Sequence, residues 1–241
     1  MWDKTWEDIY QYHIWGQYPA EDFIRFISRN FIYTPHTEKQ KFEKGDLDGM
    51  HPQTFKLRNN SLRMSKMLDV GCGSGSNMWF LAREGFDPYG IDGSSTALMH
   101  AARLLLKDFP DKDWLQRLEC GDILKLPYED NFFDCVFDNE SVTHNTYEDS
   151  KKIYAEMARV CKPGGKMFCR TFADGSYNYK VYGKDNYWRF TKESEIPDLF
   201  SGFKIKSVDL LTRTLDKYDF CNNDKLIGKD TVKEWIIQGE K

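Results

Sequence analysis

Hydrophobic positions along the chain follow two alternating spacings, which predict strands and helices in turn. Short apolar runs are typical of buried strands, and they occur at residues 66–70, 88–91, 115–120, 132–137 and 166–172. Apolar residues spaced three to four positions apart predict helices at residues 76–83 and 95–107. A third helix is predicted to begin at a capping box, Asn145 to Glu148, and to end at the KPGG stretch of residues 162–165. This alternation is typical of a parallel sheet covered by helices on both faces.

The end of the chain departs from this alternation. Residues 203–212 and 232–239 both have strand character, and the residues between them carry no strong helical stripe. Two consecutive strands without a crossover helix are expected to pair antiparallel. The predicted fold class is therefore α/β, with a mostly parallel sheet, helices on both faces and one antiparallel strand near an edge.

Two aromatic-rich segments lie outside the predicted sheet. Residues 1–33 contain several Trp and Tyr residues and a helical apolar stripe, and we interpret residues 20–33 as a packing layer. Residues 174–188 are rich in tyrosine but have no regular period. We therefore expect an N-terminal helical, aromatic cap with an irregular segment at residues 1–65, and a core domain at residues 66–241.

Composition narrows the functional classes. Of the 241 residues 40% are hydrophobic and 30% are charged, which is globular composition, and the formal net charge of −4 gives no broad attraction for nucleic acid. No apolar run is long enough for a membrane span, and the N-terminal residues lack the pattern of a signal peptide. Six cysteines stand singly, without the spacing of a metal site, so we expect no metal and a cytoplasmic location.

The stretch from residue 67 to residue 81, MLDVGCGSGSNMWFL, places three glycines directly after a strand. A phosphate-binding P-loop requires a lysine that this loop lacks. A dinucleotide-binding loop has the pattern GxGxxG, whereas here the third glycine comes one residue early and Ser76 follows it. Binding of S-adenosylmethionine (SAM) is the interpretation that remains.

The run Asp69-x-Gly71-x-Gly73-x-Gly75 resembles the first motif of the class I SAM-dependent methyltransferases. Further matches are Asp92 at the end of the second strand, Asp122 after the third, and the stretches FFDCVFDNE and KPGG. The resemblance covers about residues 66–240 and implies a Rossmann-like, seven-stranded fold that binds SAM and releases S-adenosylhomocysteine. It implies that Asp69 faces the cofactor's ammonium group, Asp92 the ribose hydroxyls and Asp122 the adenine. The implied cofactor-binding residues are Asp69, Gly71, Gly73, Gly75, Asn77, Asp92, Gly93, Asp122, Ile123 and Asn139.

Candidate catalytic residues follow the fourth strand, where Glu140 and His144 stand in the stretch DNESVTHNT. An oxygen nucleophile of high pKa requires a base, and an amine needs only to be unprotonated. We expect residues 10–20 and 174–188 to close over the site as a lid, because irregular aromatic segments at strand ends are where binding residues concentrate. The substrate contacts predicted in or beside these segments are Tyr18, Asp174, Tyr177, Tyr179 and Tyr182.

The acceptor is expected to be a small molecule. No Pro-Pro-Tyr run follows the fourth strand and no cysteine follows a proline, which argues against enzymes that methylate adenine, glutamine or cytosine C5. The stretch WEDIYQYHIWGQYPAEDFIRFISRNF, together with residues 68–92, more loosely resembles bacterial methyltransferases of surface-polysaccharide pathways. That resemblance implies O-methylation of a sugar, a nucleotide-sugar or a related precursor.

Several alternatives stay open at the level of the sequence. They are an N-methyltransferase of a small amine, an NAD-dependent Rossmann oxidoreductase and a SAM-binding subunit without activity. The sequence leaves the oligomeric state open, with a homodimer as one option.

Overall fold

The computed structural model describes residues 4–14, 16–32, 64–177, 188–219 and 225–241. The strands are β1 (Lys66–Val70), β2 (Asp87–Asp92), β3 (Leu118–Cys120), β4 (Phe133–Asn139), β5 (Cys161–Phe172), β6 (Lys204–Asp219) and β7 (Lys225–Glu240). The α-helices are α1 (Thr5–Tyr12), α2 (Glu21–Ile27), α3 (Ser76–Arg83), α4 (Ser95–Asp108), α5 (Tyr147–Val160) and α6 (Ile196–Leu199). A π-helical turn (Ser28–Ile32) and two 3₁₀ turns (Val142–His144 and Glu193–Glu195) complete the described helical elements.

The seven strands form one sheet in the order β3-β2-β1-β4-β5-β7-β6. Strands β1 to β5 pair in parallel, and β7 pairs antiparallel with both β5 and β6. The predicted fold class, including its single antiparallel strand next to an edge, is therefore confirmed. The carboxyl ends of β1, β2 and β4 meet at one edge, on either side of the point where the strand order reverses.

Two local predictions are wrong at the start and end of α5. The residue that caps this helix is Thr146, whose side chain accepts a hydrogen bond from the backbone N–H of Asp149 (3.2 Å), so Asn145 is not the cap. The helix ends at Val160, before the KPGG stretch, because Cys161 already pairs with Phe133 of β4. The KPGG residues lie inside β5, at an irregularity in its pairing with β4.

Helix α2 belongs to the hydrophobic core, as expected for a packing layer. The rings of Phe23 and Phe26 are buried, and they contact Phe168 of β5 at centroid distances of 5.4 and 5.2 Å. Phe23 also contacts Phe137 of β4 at 4.5 Å. One face of the sheet is thus covered by α2, α3 and α4, and the other by α5 and α6. The proposed division at residue 65 stays a prediction.

The hairpin of β6 and β7 is longer than predicted. Each strand has 16 residues, whereas β5 pairs with β7 only as far as Glu234. Beyond that point the two strands pair with each other, and Leu215 and its described neighbours on β6 are exposed. Neither face of the hairpin is buried there, so apolar residues no longer alternate with polar ones. For this reason the predicted strands are shorter than the observed ones. None of the helices in the described ranges has the length and apolarity to cross a lipid bilayer.

Candidate active site

The carboxyl edge of the sheet carries three buried carboxyl groups. Asp69 lies in β1, Asp92 ends β2 and Asp138 lies near the end of β4. Their side chains come from neighbouring strands, so the topology places them around one cleft. Burial raises the pKa of each of them above its ordinary value.

The glycine loop lies between β1 and α3. Gly71, Gly73 and Gly75 all have positive φ angles (75°, 51° and 83°), a backbone conformation that residues with a Cβ rarely adopt. A Cβ at Gly71 would overlap the side chain of Ser141, and one at Gly73 would meet the hydroxyl of Tyr10. Protein side chains therefore already lie against both glycines on the side where a Cβ would stand.

Asp69 has one carboxylate oxygen in use and one without a partner. Its Oδ2 accepts a hydrogen bond from Asn77 Nδ2 (3.1 Å), in the first turn of α3. Its Oδ1 is buried and has no hydrogen-bond partner among the described residues. Burial, opposed by the Asn77 hydrogen bond and reinforced by Asp138 and Asp92, raises the pKa of Asp69 to about 8. A cationic donor placed at Oδ1 would reverse this shift.

Asp92 is held by the backbone. Its Oδ2 accepts from the N–H of Gly73 and its Oδ1 from the N–H of Ser94, both at 2.8 Å. These bonds tie the glycine loop to the turn before α4. A carboxylate oxygen accepts more than one hydrogen bond, so Asp92 retains capacity for a diol.

The other predicted cofactor residues surround the same edge. Asp122 is exposed after β3, where its carboxylate accepts from the N–H of Leu124 (3.0 Å), and Ile123 packs against the core. Gly93 directly follows Asp92, and the Nδ2 of Asn139 at the end of β4 lies 3.5 Å from Asn77 Oδ1.

Helix α1 lies across the cleft, through contacts that the sequence did not predict. The carboxylate of Glu7 accepts hydrogen bonds from the hydroxyls of Ser94 and Thr96 at the start of α4. Although partial burial acts against its charge, these bonds hold the pKa of Glu7 below its ordinary value. Farther along α1, His100 Nε2 donates to the backbone carbonyl of Tyr10 (3.1 Å), whose hydroxyl reaches Gly73. Part of the predicted lid segment thus lies over the glycine loop.

The turn after β4 is fixed by Asp138. Its Oδ1 accepts from the N–H groups of Ser141 and Val142, at 2.9 and 3.0 Å, and from the Ser141 hydroxyl. The Ser141 hydroxyl also lies 2.6 Å from the carbonyl oxygen of Val70, to which it can donate. This turn, which carries Glu140 and His144, is thereby joined to the glycine loop.

Glu140 enters a buried ionic cluster from β5, β6 and β7. The Nε of Arg170 lies 2.9 Å from Glu140 Oε1, and its Nη2 donates to both oxygens of Glu234 at 2.8 and 3.0 Å. Arg213 Nη2 donates to Glu234 Oε2 at 2.7 Å. Burial, together with a hydrogen bond to Glu234, raises the pKa of Glu140 to about 8. Glu140 also has a φ of 67°, an uncommon conformation for a residue other than glycine.

Aromatic rings gather around His144. Its ring contacts Trp6 of α1 at a centroid distance of 4.5 Å and Trp188 at 5.1 Å, both edge to face. Trp188 in turn contacts Phe172 at the end of β5 (4.5 Å). The segment after Trp188 is anchored to the same turn by the backbone hydrogen bond from Arg189 to Thr143 (2.8 Å). The structure therefore brings His144 against rings from α1 and from the segment after residue 187.

The residues predicted to contact the substrate lie in several separate parts of the structure. Tyr18 is 68% exposed and packs edge to face on Trp79 of α3, at 5.3 Å. Asp174 is exposed just beyond β5, and the backbone N–H of Tyr177 donates to Thr231 of β7 (2.7 Å). Tyr179 and Tyr182 lie outside the described residues.

These groups fit SAM. The unpartnered Oδ1 of Asp69 suits an ammonium donor, and Asp92 beside it suits the two hydroxyls of a ribose. The family comparison agrees, because a model described as "Methyltransferase domain" matches residues 68–169.

Two curated relatives and one solved structure extend the comparison. Phosphoethanolamine N-methyltransferase 2 of Caenorhabditis elegans is 31% identical over 138 residues, covering 55% of this chain and 30% of the relative. The 24-methylenesterol C-methyltransferase 2 of Arabidopsis thaliana is 36% identical over 170 residues, covering 70% and 42%. A magnesium protoporphyrin IX methyltransferase from Synechocystis PCC 6803, solved with bound SAM, is 17% identical to this chain. It has a TM-score of 0.53 over 74% of this chain and 70% of that one.

The chain spans less than half of the length of these two curated relatives. At this low identity the solved structure supports the fold alone. The cofactor bound in it is SAM, which is also the cofactor that the sequence of this chain predicts. Residues 68–169 match a methyltransferase domain, and the seven-stranded fold that contains them is that of the class I SAM-dependent methyltransferases.

Proposed function

We propose that the protein transfers a methyl group from SAM to the nitrogen of a small amine. The observation that carries the choice of acceptor is the turn after β4, where the acid Glu140 and the ring-lined His144 stand four residues apart. A carboxyl group and aromatic faces both attract a cation, and an amine arrives as one at neutral pH. The name of the C. elegans relative, an N-methyltransferase, supports the same choice.

The residues of the chain have separate tasks in this proposal. SAM bound at the glycine loop supplies a methyl group on a positively charged sulfur. Asp69 and Asp92 orient the cofactor through its ammonium group and ribose, Glu140 accepts the proton that the acceptor must lose, and α1 excludes water from the cleft. Holding the reacting atoms aligned is worth ~7–11 kcal/mol, and proton transfer to a positioned base contributes ~10²–10⁴-fold.

O-methylation of a sugar precursor, which the looser sequence resemblance implied, gains no support from the relatives named above. Their names specify nitrogen and carbon acceptors. We also retain a cytoplasmic location as part of the proposal, in line with the cysteines of the described ranges, which are all free thiols.

The test measures release of S-adenosylhomocysteine with matched acceptor pairs, each a small amine and the compound with a hydroxyl in its place. Ethanolamine with ethylene glycol is one such pair, and phosphoethanolamine is added because a relative is named for it. We expect turnover with one or more amines and none with the hydroxyl compounds. Turnover with the hydroxyl compounds alone would refute the amine acceptor.

Two further outcomes separate the remaining classes of function. SAM binding without release of S-adenosylhomocysteine from any acceptor would indicate a SAM-binding subunit. Stabilisation by NAD but not by SAM in a thermal-shift assay would indicate an oxidoreductase. Asp92→Ala serves as the negative control for SAM binding, because it removes the carboxylate assigned to the ribose.

A further inference from the structure

Two carboxyl groups from distant parts of the chain meet on the acceptor side of the site. Glu234, in β7, has no exposed side-chain surface, whereas 32% of the Glu140 side chain is exposed. The Nε of Arg170 lies 2.9 Å from Glu140 Oε1 and 3.2 Å from Glu234 Oε1, so the two carboxyl groups lie against the same N–H group. Two carboxyl groups side by side can form a hydrogen bond with each other only when one of them carries a proton. The proposed function as stated above uses Glu140 and leaves Glu234 without a role.

The charges around this pair explain where the proton lies. Arg170 and Arg213 contribute two positive charges, and Asp22 of α2 adds a negative charge that acts on Arg170. Although burial opposes its charge, the hydrogen bond from Glu140 and the two guanidinium groups hold the pKa of Glu234 below its ordinary value. Because Glu234 is held in its charged form and Asp22 also acts on Arg170, a proton on Glu140 avoids a third negative charge beside the two arginines.

The backbone keeps Glu140 in this arrangement. Its N–H donates to the carbonyl of Arg170 (2.8 Å), and its left-handed φ turns the chain back toward β5. Uncommon backbone conformations of this kind are unfavourable and persist where surrounding contacts determine them. Here those contacts are the one with Arg170 Nε (2.9 Å) and the neighbouring Glu234 carboxyl group, which lies against the same Nε.

We propose that Glu234 is a positioning residue that acts through Glu140, by keeping one proton shared between the two carboxyl groups until an ammonium ion binds beside them. The inference rests on the proposed amine acceptor. The charge of the ammonium ion replaces the shared proton, which leaves to solvent through the exposed part of Glu140. The freed Glu140 carboxylate then takes a proton from the nitrogen, and the electrons of that N–H bond remain on nitrogen as its lone pair.

The first experiment follows the Glu140 carboxyl carbon by NMR in the free protein, with neither cofactor nor acceptor present. In the wild type we expect titration at about pH 8. Glu234→Gln removes a like charge and replaces the carboxylate that shares the proton with a neutral amide, so the pKa of Glu140 should fall by about one pH unit or more. Arg213→Gln removes a positive charge and should move the pKa of Glu140 upward instead.

Glu240→Gln is the matched control, because Glu240 lies on the same strand but pairs with Lys166 at the far end. It should leave the Glu140 titration unchanged. A Glu140 pKa that is the same in Glu234→Gln as in this control would overturn the proposal. If Glu234→Gln does not fold, Arg213→Gln still tests the proposal. A Glu140 pKa that falls or stays the same in Arg213→Gln would also contradict the proposal.

The second experiment measures the pH profile of kcat/KM with an amine that turns over. The acid limb should follow the pKa of Glu140, so it should move to lower pH in Glu234→Gln. If the substitution only damaged the structure, kcat/KM would fall at every pH and the acid limb would stay where it is. Glu140→Gln should abolish the acid limb and reduce kcat by ~10²–10⁴-fold. An acid limb that persists in Glu140→Gln would remove Glu140 as the proton acceptor.

The two experiments distinguish the inference from the function on which it rests. The expected titrations combined with no turnover on any amine would refute the proposed function and the proton-accepting role, while the shared proton would stand. Turnover on amines with an unchanged titration in Glu234→Gln would refute the inference alone.

Discussion

The cofactor side and the acceptor side of this site hold their carboxyl groups in different ways. On the cofactor side, Asp92 accepts hydrogen bonds from backbone N–H groups of the glycine loop and of the turn before α4. On the acceptor side, Glu140 contacts the side chain of Arg170 in β5, the next strand, and Arg170 in turn is held by Glu234 in β7, the last strand of the chain. One side depends on local backbone geometry, and the other depends on the pairing of distant strands.

This difference has consequences for mutation. Backbone donors are present whatever the neighbouring side chains are, so the cofactor side should tolerate changes elsewhere in the sheet. On the acceptor side the charged side chains contact one another in series, so that each one is the partner of the next. Removing one of them leaves a buried charge without its partner. The predictions below test this contrast, beginning with the largest expected effect.

Replacing Arg170 should destabilise the whole protein. Arg170→Met leaves Glu234 with Arg213 alone and removes the ion pair with Glu140, which for a buried ionic group costs ~3–5 kcal/mol in the free energy of unfolding. Arg25→Met is the control, because the Arg25–Glu21 pair is exposed and such helix pairs are worth ~0.3–0.5 kcal/mol. Chemical denaturation compares the two variants, and equal losses would contradict the contrast drawn here.

Replacing Asp92 should affect cofactor binding more than stability. Asp92→Ala removes an acceptor whose charged hydrogen bonds are worth ~1.5–3 kcal/mol each, so SAM affinity should fall at least about tenfold in calorimetry. Asp87→Ala is the matched control at the opposite end of β2, where Asp87 pairs with Arg117 (2.7 Å). Unchanged SAM affinity in Asp92→Ala would refute the ribose assignment.

Asp69 makes the stability of the free protein depend on pH. Because its pKa is raised to about 8, the folded state keeps a proton that the unfolded chain loses near pH 4. This contribution to stability is present below about pH 4 and is lost as the pH rises toward 8. Asp69→Asn should therefore be more stable than the wild type at pH 8, by about 1 kcal/mol or more, and the difference should shrink toward pH 4. Thermal unfolding across this range would refute the prediction if the difference were constant.

The smallest effect is expected in the contact between α1 and α4. Glu7→Gln removes a charge from the start of α4 and weakens the hydrogen bonds to Ser94 and Thr96, at a cost of ~0.5–2 kcal/mol. Amide hydrogen exchange in residues 5–12 should accelerate about two- to thirtyfold if α1 opens independently. In the wild type, binding of S-adenosylhomocysteine with an acceptor should slow exchange in residues 10–20, and identical exchange in both states would contradict the lid.

The cofactor side could be predicted from the sequence because its determinants are local. Three glycines after an apolar strand imply positive φ angles, and Asp92 ends the next predicted strand, so the motif specifies both the turn and the acid. The parallel order of the strands likewise follows from the alternation with helices. The actual neighbours of Gly71 and Gly73, Ser141 and Tyr10, could not be predicted, because both come from outside the motif.

The acceptor side was predicted only in part. Glu140 and His144 were found because they follow the fourth strand, but Glu234 stands in the stretch VKEWIIQ, where a single acid is expected to face solvent. Its burial depends on the pairing of β7 with β5, which puts Glu234 opposite Phe172 and on the same face as Arg170. Glu7 likewise resembled an ordinary acidic residue of a first helical turn until α1 was seen against α4.

The place of β7 between β5 and β6 also constrains the order of folding. Among the described strands β7 is the last in the chain, yet it forms the ladders on both sides of itself, so β6 has no place in the sheet before β7 has been made. Contacts between segments far apart in sequence form late, because closing long loops costs chain entropy. During synthesis the glycine loop and Asp92 can therefore be assembled while Glu140 and Arg170 still lack Glu234. The ability to hold the cofactor would then precede the ability to handle the proton of the acceptor.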